Sequence, residues 1–114
     1  MTMTKNTGRP LVVYVDVDET ICTTSASRDY VYAQPIVENI EKINKLYDQG
    51  HTIVYWTARG SRTKTDWYDL TKKQLTEWGA KHHELNAMKP YYDVFVDDKT
   101  VTIETLNFDK LISL

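Results

Sequence analysis

Asp16 and Asp18 stand two residues apart at the end of a short apolar run, Leu11–Val17, LVVYVDV. On an extended strand, side chains at i and i+2 share a face. The two carboxylates can therefore flank one reacting centre. Asp16 can attack phosphorus and carry the phosphoryl group as an aspartyl-phosphate. Asp18 can protonate the leaving oxygen and then take a proton from the attacking water. That role needs Asp18 to hold a proton when the leaving group departs. A second acidic pair, Asp97-Asp98, closes the apolar run Val94–Val96. Four carboxylates brought together repel one another. A hard divalent cation relieves the repulsion, and magnesium is the expected ion because it combines one or two carboxylates with phosphate oxygens and water. Asp16, Asp18, Asp97 and Asp98 are thus the candidate metal residues. Thr57, after the run TIVYWT, offers a hydroxyl, the loop opening at Ala58 offers backbone N–H groups, and Lys89 offers a point charge. These are the groups that phosphoryl transfer uses, since its catalysis is largely positioning and charge stabilisation. Arg59 and Arg28 lie on loops expected to face the same region and are candidate substrate contacts.

Such residues meet only if strand ends bring them together. Leu11–Val17 is too short for a helix, is rich in β-branched residues and reads as a buried strand. Polar residues dominate from Thr20 to Gln34 and suggest a loop over its end. Pro35 suits the first turn of a helix. Ile36, Ile40, Ile43 and Tyr47 recur at helical spacing, and Gly50 stops the run. Thr52–Thr57 is the second strand. A second helix is expected from about Asp66 to Trp78, capped by Thr65, with Trp67, Leu70, Gln74, Leu75 and Trp78 inside and Gly79 at its end. Lys81–Leu85 reads as a short strand, and Val94–Val96 as a further one after the break at Lys89-Pro90. Glu104–Leu114 reads as a C-terminal helix. Alternating strands and helices imply a parallel α/β sheet, and ligands bind such sheets beyond the carboxyl ends of the strands. The expected fold is a doubly wound, Rossmann-like parallel sheet with helices on both faces.

The 114 residues suffice for one domain, read as an N-terminal arm over 1–10 and a single domain over 11–114. The composition, 41% hydrophobic and 26% charged, is that of a soluble globular protein. A formal net charge of -2 gives no general pull toward nucleic acid or membrane, although Lys and Arg outnumber Asp and Glu between Arg59 and Lys89. With Cys22 as its one cysteine the chain forms no internal disulfide, which fits a cytoplasmic protein. The opening MTMTKNTGRP has no apolar signal-peptide core, and no apolar run approaches the ~20 residues of a membrane span.

DVDET after an apolar strand, Thr57 after the second strand, Lys89, and then VFVDD resemble the four motifs of the haloacid dehalogenase (HAD) superfamily, in order. The resemblance spans roughly Leu11 to Thr100. It implies a HAD-like fold with Asp16 as nucleophile and metal ligand. Asp18 would be acid/base, with its backbone carbonyl on magnesium. Thr57 and Lys89 would hold the phosphate, and Asp97 would complete the metal shell with Asp98 in support. Glu19 stands where many members have glycine. There is no room for a cap domain, so the chain resembles the capless members, which take bulky substrates or close their site with a neighbouring subunit. A homo-oligomer is one implication. ICTTSASRDY, YWTARGSRTK and KPYYDVFVDDK look similar to small phosphatases of capsular or surface-polysaccharide precursor synthesis, which implies a sugar or polyol phosphate substrate. Thr57 to Asp98 is also similar to the phosphatase half of phage polynucleotide kinase/phosphatases, which implies a nucleotide or nucleic-acid 3′-phosphate.

Rival readings are weaker. Cys22 and Arg28 have the C-x5-R spacing of tyrosine phosphatases, but no glycine lies between them and Asp29 follows the arginine. A receiver domain would place its acidic pair at the first strand and its phosphoacceptor at a middle one. A binding protein on an inactive phosphatase scaffold would usually have lost Asp16, Asp18 or the late acidic pair. His51 and His82-His83-Glu84 read as surface or packing residues, because adjacent histidines on a strand point oppositely. Trp56, Trp67 and Trp78 read as core, and Tyr91 and Tyr92 as loop packing.

Overall fold

The computed structural model describes residues 9–24 and 29–106. Strand β1, Val12–Asp16, is followed by a small antiparallel pair, β2 (Cys22–Thr23) and β3 (Gln34–Pro35), with a single 3-10 turn at Tyr30–Tyr32 between them. Helix α1 spans Val37–Asp48, strand β4 Thr52–Trp56, helix α2 Tyr68–Glu77 and strand β5 Glu84–Asn86. The main sheet has three parallel strands in the order β1-β4-β5. Among the described residues no helix is long and apolar enough to cross a membrane.

Register fixes which side chains share a face. Val15 pairs with Tyr55 and Tyr55 with Leu85, while Val13 pairs with Ile53. Val15, Ile53, Tyr55 and Leu85 belong to one buried cluster with Ile40, Ile43 and Leu46 of α1 and Leu75 of α2. Both helices therefore cover the same face. The other helix that the expectation of helices on both faces relies on, Glu104–Leu114, lies largely outside the described residues. Each crossover steps the sheet the same way, from β1 to β4 to β5, and successive right-handed crossovers in one direction keep their helices on one side. On the opposite face Val12 and Tyr14 remain 66% and 57% exposed, and Tyr14 meets Trp56 edge-on at 5.7 Å.

The elements form near the expected places, with instructive shifts. Pro35 pairs with Cys22 in the β2–β3 ladder instead of opening α1. Asp66, two residues before α2, accepts the Tyr68 N–H at 2.9 Å, a cap contact expected from Thr65. Past α1, Gly50 takes φ +98°, and the next residue, His51, donates its N–H to the Leu46 carbonyl, a close made easy by glycine's freedom at positive φ.

Val94–Val96 departs from expectation. It lies outside the sheet, with Val94, Phe95 and Val96 exposed by 76%, 52% and 90%. β5 is just as short, yet it buries Leu85, and flanking bonds extend its pairing: His83 N–H to Ile53 O and Thr57 N–H to Asn86 O, both 2.9 Å. The later run buries no side chain, so its apolar composition earns it no place beside β1. Of the expected C-terminal helix, Glu104–Leu106 shows a turn and then irregular backbone; 107–114 lie outside the described residues.

Candidate active site

Parallel pairing puts Asp16 opposite Trp56, so the segments leaving β1 and β4 start side by side. Asp16 Oδ1 accepts the N–H of Val17 at 2.9 Å, and Oδ2 faces Lys89 Nζ at 3.7 Å. Burial pushes the Asp16 carboxyl above its usual 3.8, the Lys89 ammonium works against that shift, and the charge of Asp18 adds to it. Lys89 is itself mostly enclosed. Its Nζ donates to the Tyr92 hydroxyl at 2.7 Å and lies 4.7 Å from the Tyr92 ring and 5.9 Å from that of Trp56.

The main chain of Lys89 is tied down on both sides. Its N–H donates to the Thr57 carbonyl at 3.0 Å, and its carbonyl accepts from Ser61 Oγ at 2.7 Å. Thr57 is buried, and its hydroxyl oxygen accepts the Arg59 N–H at 3.1 Å. The hydroxyl hydrogen is left to donate. Ala58 accepts from the Ser61 N–H at 2.9 Å, which closes the loop into a turn. Gly60 follows at φ +83°, where an added Cβ would meet the Thr65 carbonyl oxygen at 2.0 Å. No larger residue fits this turn without moving it.

Asp18 is held by Arg59. Arg59 Nε lies 3.1 and 3.0 Å from Asp18 Oδ1 and Oδ2, and Nη2 lies 2.8 Å from Oδ1. Nη2 also reaches Cys22 Sγ at 3.8 Å, and Nη1 donates to Thr71 Oγ1 at 3.1 Å and Gln74 Oε1 at 2.7 Å. The Tyr30 ring stacks on the guanidinium at 4.5 Å, with Trp67 edge-on to it at 5.1 Å. All five N–H donors of the guanidinium are taken, and its side chain has no exposure. The expectation that Arg59 contacts substrate is thereby corrected: the loop turns it inward because a carboxylate and two helix polar groups satisfy it there.

Sequence reasoning missed Thr71, Gln74 and Tyr30 as parts of this cluster. The available signal was Gln74, a polar residue on the inner side of α2. Its amide is engaged at both ends, the oxygen accepting from Arg59 and the nitrogen donating to the Tyr30 carbonyl, each at 2.7 Å. Arg28, the other candidate substrate contact, lies outside the described residues.

Glu19 takes φ +64°, the left-handed conformation that favours glycine. Its carboxylate accepts from the backbone N–H and hydroxyl of Thr24 at 2.9 and 2.5 Å, a local compensation for the strained backbone.

Asp97 and Asp98 are exposed, on the segment that stays outside the sheet. The Asp98 N–H donates to Asp97 Oδ1 at 2.7 Å, and hydrogen bonding, first with the Asp98 side chain, holds the Asp97 carboxyl below its usual range. Among the described residues no three His, Cys, Asp or Glu side chains form a group able to hold a metal ion. The expected four-carboxylate site is thus not assembled as placed, because the strand meant to carry its second half is not beside β1. Asp16 faces Lys89 and Asp18 faces Arg59, apart from the exposed Asp97-Asp98 pair.

Cys22 is fully buried, and burial pushes its thiol up to about 12, with the Asp18 charge adding to the shift. That is a protonated thiol, unsuited to the nucleophile that C-x5-R chemistry requires. His83 Nδ1 accepts the Ile53 N–H at 3.0 Å while His82 Nδ1 lies 2.8 Å from the Ala80 carbonyl, so the adjacent histidines serve separate backbone groups.

No protein-family model matches the chain, and no curated protein matches it. Among solved structures, a crystal structure of a structural-genomics target from Vibrio cholerae superposes with a TM-score of 0.79 at 22% identity, over 92% of this chain and 95% of that one. At that identity the similarity shows the fold alone: a small α/β chain with a parallel three-stranded sheet and two helices.

Proposed function

We propose that this chain is a phosphomonoester hydrolase of the HAD type that works through an aspartyl-phosphate on Asp16. The observation that carries the reading is the meeting of Asp16 with Lys89, 3.7 Å apart, with the main chain of Lys89 bonded to that of the buried Thr57. A carboxylate nucleophile, a cation and a hydroxyl donor at adjacent strand ends match the needs of a phosphate monoester.

In the first step an Asp16 carboxylate oxygen bonds to phosphorus as the bond from phosphorus to the leaving oxygen breaks. That oxygen takes a proton from Asp18 and departs as an alcohol. In the second, water attacks the aspartyl-phosphate and gives its proton to Asp18. The bond from Asp16 to phosphorus breaks, which releases inorganic phosphate and restores both groups. Lys89 and Thr57 hold the phosphoryl oxygens. Magnesium dependence belongs to the proposal through the hard oxygen chemistry of Asp16, Asp18, Asp97 and Asp98.

A sugar or polyol phosphate is the proposed substrate, in the cytoplasm. Residues 20–34 contribute only the β2–β3 pair and one turn among the described residues, which supports a capless site open to substrate or to a second copy of the chain. Hydrolysis of a panel of sugar, polyol and nucleoside 3′- and 5′-phosphates and a 3′-phosphorylated oligonucleotide tests the reading, with magnesium or chelator, on wild type and Asp16→Asn. Turnover lost in Asp16→Asn is the expected result. Preference for the oligonucleotide would move the substrate to nucleic-acid ends. A folded protein that releases no phosphate from any member would favour a binding role.

A further inference from the structure

We propose that Arg59 is a positioning residue that fixes which oxygen of Asp18 handles the proton; this rests on the phosphatase reading above. Two Arg59 nitrogens reach Asp18 Oδ1, Nη2 at 2.8 Å and Nε at 3.1 Å, and the Cys22 thiol stands 3.4 Å away with its one hydrogen shared between Oδ1 and the Val17 carbonyl at 3.6 Å. Oδ2 receives Arg59 Nε alone, at 3.0 Å, and shares it with Oδ1. The Asp18 side chain keeps 20% of its surface exposed, whereas that of Arg59 has none. Oδ1, which takes Nη2 and a share of Nε, is the more firmly anchored oxygen, and Oδ2, with only its share of Nε, is assigned the proton transfer to the leaving oxygen and from the water.

The anchor is rigid because Arg59 is gripped from elsewhere. Thr71 and Gln74 of α2 take both hydrogens of Nη1, and Tyr30 covers the guanidinium plane. Thr71 passes the chain of bonds to the Trp67 carbonyl at 2.7 Å, and Gln74 passes it to the Tyr30 carbonyl. Only a planar fork can serve a carboxylate on one edge and two neutral acceptors on the other; a lysine ammonium is a point charge on a flexible stem. Proton transfer in a transition state depends on such placement. Arg59 touches no reacting atom and acts through Asp18.

The test is kcat/KM for Arg59→Lys over phosphomonoesters whose leaving groups run from an acidic nitrophenol to a simple alkyl alcohol. A poor leaving group needs the proton and a good one does not. Arg59→Lys should lose about 10²-fold or more on the alkyl ester and change little on the nitrophenyl ester, with KM kept on both. In an Asp18→Asn background it should add no further loss. Gln74→Met removes one anchor of the guanidinium without touching Asp18; it should steepen the leaving-group dependence in the same direction, and it serves if Arg59→Lys does not fold. Equal loss across the series, or further loss on top of Asp18→Asn, overturns the assignment while the phosphatase reading stands. Wild type that hydrolyses no member, or turnover retained by Asp16→Asn, overturns that reading and the assignment with it.

Discussion

Lys89 meets Asp16 across two strand ends: its Nζ stands 3.7 Å from Asp16 Oδ2 while its main chain bonds Thr57 at the end of β4. A cation delivered to a carboxylate by a separately anchored backbone is placed before any substrate arrives. Its worth lies in that preorganisation.

Replacing Lys89 by Met should therefore weaken turnover more than it weakens the fold. We expect kcat to fall about 10²-fold or more, the scale for loss of one preorganised charge-stabilising group. Steady-state kinetics checks this beside a thermal melt. A loss confined to KM would make Lys89 a docking charge only.

Val96 is 90% exposed. Val96→Lys should then change stability by no more than about 0.5 kcal/mol, as for other surface substitutions. Urea unfolding measures it. A loss above about 2 kcal/mol would mean that Val96 packs against a neighbour and would overturn its exposure.

Gly60 occupies φ +83° with the Thr65 carbonyl where a Cβ would go. Gly60→Ala should cost about 1–3 kcal/mol, the scale of local backbone strain. Because the loop carries Thr57 and Arg59, activity should fall further than stability accounts for. A variant with wild-type melting and wild-type turnover would show that this loop relaxes freely.

His51 Nδ1 accepts the Leu11 N–H at 3.0 Å, a bond that only the neutral ring makes. Burial lowers its pKa below the usual 6.5. The unfolded chain then binds the proton first as pH falls. This contribution to stability is present above about pH 6.5 and is lost as pH drops toward the lower folded value. Denaturation midpoints measured from pH 8 to 5 should fall across that window, and His51→Ala should flatten the fall. Burial also lowers His82, so some slope should remain in the variant.

Much of this was readable in the residues. Apolar, β-branched runs marked β1 and β4 because those strands carry buried positions, and helical spacing marked α1 through Ile40 and Ile43. The same logic misplaced Val94–Val96, since composition reports what a segment can bury and not whether a neighbour comes to cover it. The sequence points to Arg59 as a substrate contact for a related reason. Its partners stand 41, 12 and 15 residues away, in Asp18, Thr71 and Gln74, and no local pattern announces that they converge. The places of Asp16 and Thr57 at the ends of β1 and β4 were legible because an apolar run shows where its strand stops.

Cys22 is the one cysteine of the chain, fully buried and in contact with both Asp18 and Arg59. A thiol reagent can reach it only when that cluster comes apart. The rate at which the native protein is labelled is thus a clock for one local opening, read without mutation or added probe. A ligand that tightens the cluster slows the clock, and the degree of slowing measures how firmly Asp18 is held.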